Sequence, residues 1–294
     1  MCKEKVVTGI GELLWDVLPE GKEIGGAPCN FAFHAMQAGC NSFVVSAVGN
    51  DLLGSELRDG LQSMEVDDSY VQSSSSPTGT VSVSLDSRGI PDYTIHENVA
   101  WDNIEWDEKL SQLAEKSDAV CFGSLAQRNE KSRASIQRFL NSVSDDCLKV
   151  FDINLRQSFY SAEIIENSLK QANVFKLNDD ELKVVASLFS IDGDTETQLT
   201  ALMKRFQLDY LAYTMGSGGS ILLNRDESSF FEAPKVNVVD TVGAGDAFTA
   251  ILIAGILNGI SLKEIHEKAT NMAAYVCTCK GATPLISSKL NMMS

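Results

Sequence analysis

A chain of 294 residues with 44% hydrophobic and 22% charged side chains has the makeup of an ordinary globular protein, long enough for one extensive core. Its formal net charge of -16 argues against nucleic acid as a partner, because that binding rests on clustered Lys and Arg. Seven cysteines without CxxC spacing and only three histidines argue against a disulfide framework and a dedicated zinc site, so a reducing cytoplasm is the expected location.

The opening residues, MCKEKVVTGIGELLWD, lack the apolar run and small-residue cleavage site of a signal peptide. The most apolar stretch, 247–260, is shorter than the about 20 residues that span a bilayer, and it reads as a buried helix. No membrane partner is expected. In chain order, apolar runs at 5–10, 42–48, 118–123, 148–153, 172–177 and 210–214 read as strands buried on both faces. Between them, 27–38, 52–64, 131–143, 164–171, 181–189 and 198–206 read as helices. Strands alternating with helices predict βαβ units and a mainly parallel, helix-covered sheet. With no repeat and no dividing linker, a single domain over residues 1–294 is expected.

One region breaks this rhythm. Residues 78–86 and 92–96 alternate apolar and polar side chains, as strands with one wet face do, and Ser87, Arg88 and Gly89 form the turn between them. Residues 12–18 are a candidate partner strand. The segment is either a small antiparallel sheet serving as a lid over a cleft or an ordinary surface hairpin. Ligands of open parallel sheets sit beyond the carboxyl ends of the strands. Asp16, Asp152, Asn154, Asn178, Thr214 and Gly216 all fall at or just after such ends.

Two glycine-rich segments carry chemistry. In DTVGAGDAF (240–248), Gly243, Ala244 and Gly245 let backbone approach a ligand, and an apolar helix follows at once. Free N–H groups and the positive end of the helix dipole then make an anion hole suited to a transferring phosphoryl group. Asp246, in the first helical turn, is placed to accept the proton of an attacking hydroxyl; the alternative use is a plain helix cap. In GGAPCNFA (25–32), Gly25 and Gly26 leave room for a sugar ring, Pro28 fits the helix start, and Asn30 offers donors and an acceptor to hydroxyls.

GGAPCNFA, followed by Gly39 and Gly49, resembles the N-terminal pattern of the ribokinase-like, PfkB-type carbohydrate kinases. DTVGAGDAFTA, about 210 residues later, resembles their C-terminal pattern. The resemblance runs from Val6 to Pro284. It implies a three-layer α/β/α fold with a mainly parallel central sheet, a small β-sheet lid within 12–24 and 76–98, and transfer of the ATP γ-phosphoryl to a sugar. Asp246 then corresponds to the catalytic base and the N–H groups of residues 243–246 to the anion hole. Asp16, Gly25, Gly26 and Asn30 correspond to sugar contacts. Lys176 opens the segment that carries Asn178 and Glu181, an N-x-x-E element that positions magnesium-bound water. Thr214, Gly216 and Gly219 correspond to the nucleotide loop, and Asn271 to the adenine side. Asp240 and the segment Gly281-Ala282-Thr283 correspond to a potassium site, with Lys280 a competing cation. From the residues alone, Asn178 and Glu181 equally fit a helix capping box, and TMGSGG a tight turn.

Ala27-Pro28 after the paired glycines, the D-x-N-x-R run Asp152, Asn154, Arg156, and PTGTV (77–81) are similar to fructokinases within that family. Asn154 and Arg156 are therefore expected near the sugar or the γ-phosphate, and Tyr93 either over the sugar or within its hairpin. The expected reaction is phosphorylation of fructose at its 6-hydroxyl by ATP with Mg2+, and K+ as a further cation. A 2-keto-3-deoxygluconate kinase, another sugar or nucleoside kinase, and a non-catalytic nucleotide- or sugar-binding protein are the alternatives. A homodimer through the lid is a further expectation.

Overall fold

The computed structural model describes residues 5–18, 21–85 and 91–286. The chain opens with β1 (Val6–Ile10), then leaves the main layer for β2 (Leu14–Leu18) and β3 (Gly21–Gly25). It returns through α1 (Ala27–Gln37), β4 (Asn41–Gly49), α2 (Leu52–Ser63) and β5 (Val71–Ser74), and departs again for β6 (Gly79–Leu85) and β7 (Pro91–Ile95). Regular alternation follows, with α3 (Glu108–Lys116), β8 (Ala119–Phe122), α4 (Glu130–Ser142), β9 (Leu148–Asp152), α5 (Ala162–Gln171) and β10 (Val174–Asn178). Next come α6 (Asp179–Phe189), α7 (Thr195–Phe206) and β11 (Tyr210–Thr214), a hairpin of β12 (Ser220–Asn224) and β13 (Ser228–Phe231), and then α8 (Ala244–Leu257) and α9 (Leu262–Cys277).

Among the described residues two sheets form. The nine-stranded one has the order β13-β12-β11-β10-β9-β8-β1-β4-β5. Pairing is parallel from β5 to β11, and only the β11–β12 and β12–β13 edge is antiparallel. Alternate residues of these strands serve opposite faces. Val7, Ala119, Cys121, Val150, Val174 and Ala212 pack under α1, α8 and α9. Val120, Phe122, Phe151, Phe175 and Leu211 pack under the helices of the other face. There Phe122, Phe151 and Phe175 stack in sequence, with centroids 5.2 and 5.7 Å apart. The result is the expected three-layer α/β/α arrangement.

The apolar run expected to be a buried helix is α8, which is buried on nearly every side between α1 and α9. No helix among the described residues is long and apolar enough to cross a membrane.

The second sheet has the order β3-β2-β6-β7. It is mixed rather than antiparallel, because β2 pairs with β6 in parallel while β2–β3 and β6–β7 are antiparallel. The reason lies in the main sheet. β2 follows β1 and β6 follows β5, and those parallel strands release the chain at the same carboxyl edge, so both excursions run the same way. The turn at Ser87, Arg88 and Gly89 and the side chain of Tyr93 lie outside the described residues.

Candidate active site

The site is assembled at the carboxyl edge of the main sheet, where α1 and α8 begin. Gly243, at φ 79° in the left-handed region, is the residue before α8, and a side chain there would strike the Ala282 backbone. The N–H groups of Gly245 and Asp246 have no acceptor among the described residues, whereas that of Ala244 turns back to Thr241 at 3.3 Å. The open N–H groups at this helix start are therefore those of Gly245 and Asp246, with Ala244 shaping the turn. Beneath them lies Lys176, whose Nζ would sit 2.9 Å from a methyl group at Gly245.

Asp246 does not cap its helix. It is the third residue of α8, in the first turn, and its Oδ2 accepts the side-chain amide of Asn30 at 2.8 Å. It keeps some solvent exposure, yet burial raises its carboxyl to about 6; Asp152 adds to the rise, and Asn30, Lys176 and Arg156 oppose it. Asn30 itself is 4% exposed, and its Oδ1 has no partner among the described residues. A buried acceptor of this kind calls for a donor, and a sugar hydroxyl is one.

A second layer supports Asp246 from below. Asp152 and Lys176 face each other in the β9–β10 register and form a buried ion pair at 3.0 Å. Thr249 donates its hydroxyl to the other oxygen of Asp152 at 2.9 Å. Burial alone would lower the Lys176 ammonium, but Asp152, Glu181 and Asp246 together hold it above its ordinary value. The site thus keeps a fixed positive charge under the open N–H groups.

Asp16 lies opposite Glu23 in the β2–β3 register, and Gly25 packs directly against its carboxylate. Burial and Glu23 raise Asp16 to about 6, while Arg156 opposes them. Arg156 is exposed, after β9. Its charge acts on Asp16, Asp246 and Glu12. Asn154 sits in the left-handed region at φ 43°, where the chain turns from β9 towards Arg156. Glu12 was not singled out in the sequence. It is 3% exposed, beside the glycine turn, and burial raises it to about 7.

On the nucleotide side, Asn178 and Thr214 are paired neighbours at the ends of β10 and β11. Asn178 and Glu181 form the capping box in full, with Asn178 Oδ1 accepting the Glu181 N–H at 2.9 Å and Glu181 Oε2 the Asn178 N–H at 2.8 Å. Glu181 Oε1 also accepts the Leu155 N–H at 3.0 Å. Burial nevertheless raises its carboxyl. Gly216 lies in the single turn after β11, and Gly219 abuts the Phe231 backbone, so TMGSGG is a tight turn opening on this edge. Asn271 lies half-buried on α9.

Asp240 ties two loops together: its oxygens accept Val242 N–H at 3.1 Å and Gly281 N–H at 3.2 Å. The C-terminal loop is pinned to α1 by His34, bonded to the Ala282 carbonyl at 2.9 Å. Lys280, the competing cation, instead reaches Glu23 of the small sheet at 3.3 Å.

Comparison with known proteins identifies the family. The description pfkB family carbohydrate kinase matches residues 17–289. A sugar kinase of Pyrococcus horikoshii is 29% identical over 297 residues, covering 94% of this chain and 91% of that protein. Its crystal structure in complex with ATP has a TM-score of 0.78 at 27% identity, covering 95% and 94% of the two chains. The fructokinase of Salmonella typhimurium is 32% identical over 292 residues, covering 93% of each protein. A 2-dehydro-3-deoxygluconokinase of Thermotoga maritima, 18% identical with 98% of each chain covered, shares the fold with a TM-score of 0.85. The chain belongs to the pfkB family of carbohydrate kinases.

Proposed function

We propose that this carbohydrate kinase transfers the γ-phosphoryl group of ATP to the 6-hydroxyl of fructose, with Asp246 as general base. The observation that carries the reading is the placement of Asp246, bonded to Asn30 and set beside the open N–H groups of α8. The sugar oxygen attacks the γ-phosphorus, and its proton passes to Asp246. The bond from phosphorus to the β,γ-bridging oxygen breaks, and ADP leaves. Catalysis of this kind is positioning plus charge stabilisation. A base contributes about 10²–10⁴-fold.

Asp16, Asn30, Asn154 and Arg156 hold the sugar in this reading, with Gly25 and Gly26 leaving room for its ring. Lys176 and the α8 N–H groups face the transferring charge. Thr214, Gly216, Gly219 and Asn271 hold the nucleotide in this reading, and the ATP complex of the Pyrococcus relative supports ATP as that nucleotide. Mg2+, when bound near Asn178 and Glu181, would supply positive charge against the phosphates. Among the described residues no three His, Cys, Asp or Glu side chains gather as a metal cage, which fits a magnesium ion carried by phosphates and water with Asn178 and Glu181 nearby. K+ would rest on Asp240 and the segment 281–283, while the Lys280 ammonium is engaged with Glu23. The small sheet serves as lid and as the surface of a homodimer formed through the lids; a sedimentation experiment showing only monomer would remove the dimer.

The similarity to the Salmonella fructokinase supports fructose. One observation favours a second reading, an acidic sugar such as 2-keto-3-deoxygluconate. Arg156 is exposed, and its charge reaches Asp16 and Asp246. Such a cation could pair with a substrate carboxylate. ADP release measured across fructose, ribose, glucose, 2-keto-3-deoxygluconate and adenosine separates the two. Fructose is expected to give the highest kcat/KM. Preference for the acidic sugar would move the assignment to the second reading and keep the residue roles.

A further inference from the structure

Glu12 is an acidic group at the site to which the proposed reaction gives no task. It follows β1 directly, is 3% exposed, and its Oε2 has no hydrogen-bond partner among the described residues. Burying a carboxyl this way is costly and calls for a reason. Its carboxyl is buried close to the backbone N–H groups of Glu12 itself and of Ala27, the first residue of α1, which favour its charged form. The residue before that helix is Gly26, which supplies no side-chain cap. Gly26 also packs on the Glu12 carbonyl so closely that no side chain fits there. In turn, the Gly26 carbonyl accepts the Asn30 N–H at 3.0 Å. Contacts therefore run from the Glu12 backbone through the glycine turn to Asn30 and on to Asp246, with the Glu12 carboxyl buried beside that turn.

We propose that Glu12 is a positioning residue for phosphoryl transfer: its carboxyl caps the first turn of α1, holds Asn30 against Asp246, and sets a second ionisable acid beside the base. The proposal rests on the reading of Asp246 as general base.

The charged groups around Glu12 are Arg156 from the segment after β9 and Asp246 from α8. Asp152 of β9 and Lys176 of β10 act on it through Asp246. The nearby thiols of Cys29 on α1 and Cys121 on β8 are raised by burial and by these acids, and so stay neutral. Burial places Asp246 at about 6 and Glu12 at about 7. The charge of Asp246 helps Glu12 keep its proton. The neutral acid still caps α1 without adding a second negative charge beside the incoming phosphates.

The test uses Glu12→Gln, Glu12→Ala and Asp246→Asn, with kcat, both KM values and the pH profile of kcat/KM as readouts and circular dichroism as the check on folding. Glu12→Ala is expected to lose up to about 10²-fold in kcat through misplacement of Asn30. Glu12→Gln keeps an acceptor for the Ala27 N–H and is expected to retain most of kcat. Its pH profile should keep the ionisation near 6 and lose the one near 7 that the wild type shows. A Gln profile that superimposes on the wild type, or a Gln variant as impaired as the Ala variant, overturns the proposal. So does a folded Glu12→Ala protein with wild-type kcat. If Glu12→Ala does not fold, the Gln profile decides. Retained turnover in Asp246→Asn would sink the base assignment instead, whatever the Glu12 variants do.

Discussion

The side-chain amide of Asn30 donates a 2.8 Å hydrogen bond to the carboxylate of Asp246, 216 positions further along the chain. The contact joins the two glycine-rich segments through the first turns of two packed helices. It also has an electrostatic consequence, because a donor aimed at a carboxylate favours the charged form.

The pH dependence follows from that contact. Asp246 must be ionised to take a proton, so kcat/KM is expected to fall as pH drops through about 6. Asn30→Ala removes the donor, raises the proton affinity of Asp246, and should move this acid limb to higher pH. A limb that stays in place or moves down in a folded Asn30→Ala protein would show that the contact does not tune the base.

The same carboxylate makes the native state less stable at alkaline pH. Its folded value of about 6 lies above the ordinary 3.8, so the folded protein holds the proton more tightly than the unfolded chain. Stability from this group is then present below 3.8 and is lost as pH rises through about 6. Asp246→Asn is expected to be more stable than wild type at pH 8 by about 1–2 kcal/mol, discounted for the group's partial exposure. The gain should vanish near pH 4, and thermal melts at the two pH values check it.

Gly245 is constrained from below by Lys176, 2.9 Å from where a methyl group would sit. Gly245→Val is expected to displace the ammonium or close the N–H pocket above it, harming ATP use more than sugar binding. Calorimetry for the sugar and KM for ATP measure the split. Normal values of both kcat and the ATP KM would place the anion hole elsewhere.

Stability also depends on a pair outside the site. Arg128 grips Asp102 through Nε and Nη2 at 2.8 and 2.9 Å, with side chains 6% and 2% exposed, and lies over the Trp101 ring at 4.0 Å. Arg128→Ala leaves a buried carboxylate unpaired and is expected to cost about 3–5 kcal/mol. Arg128→Lys, a point charge without the planar fork, should recover only part of it. Urea unfolding of the three proteins gives the comparison.

Much of this arrangement was legible in the sequence because it rests on local signals. The run GELLWDV announces β2, and the apolar runs that became β1, β4 and β8 to β11 are buried on both faces as expected. Both motifs lie where helices begin, GGAPCNFA directly at the end of β3 and DTVGAGDAF after the loop that follows β13. What escaped the sequence depends on register between distant strands. Nothing local in Asp152 or Lys176 says that they face each other, or that Thr249 closes the set. Glu12 follows Gly11 in a stretch that reads equally well as the start of a solvated hairpin, and only the packing of Gly26 against it shows otherwise. The hairpin of β12 and β13 was missed because SSFF is too short to give a clear period, whereas α9 carries an amphipathic pattern that was there to be read. The parallel pairing of β2 with β6 was invisible for the same reason as the ion pair, since it follows from which edge of the sheet releases the chain.

The most direct test is single-turnover and steady-state phosphorylation of fructose by wild type and Asp246→Asn, with binding of fructose and of ATP followed by calorimetry. The expected result is fructose-dependent ADP release by the wild type and a loss of about 10²–10⁴-fold in kcat in the variant, with both ligands still bound. Near-normal turnover by a folded Asp246→Asn protein would contradict the assignment of Asp246 as the base.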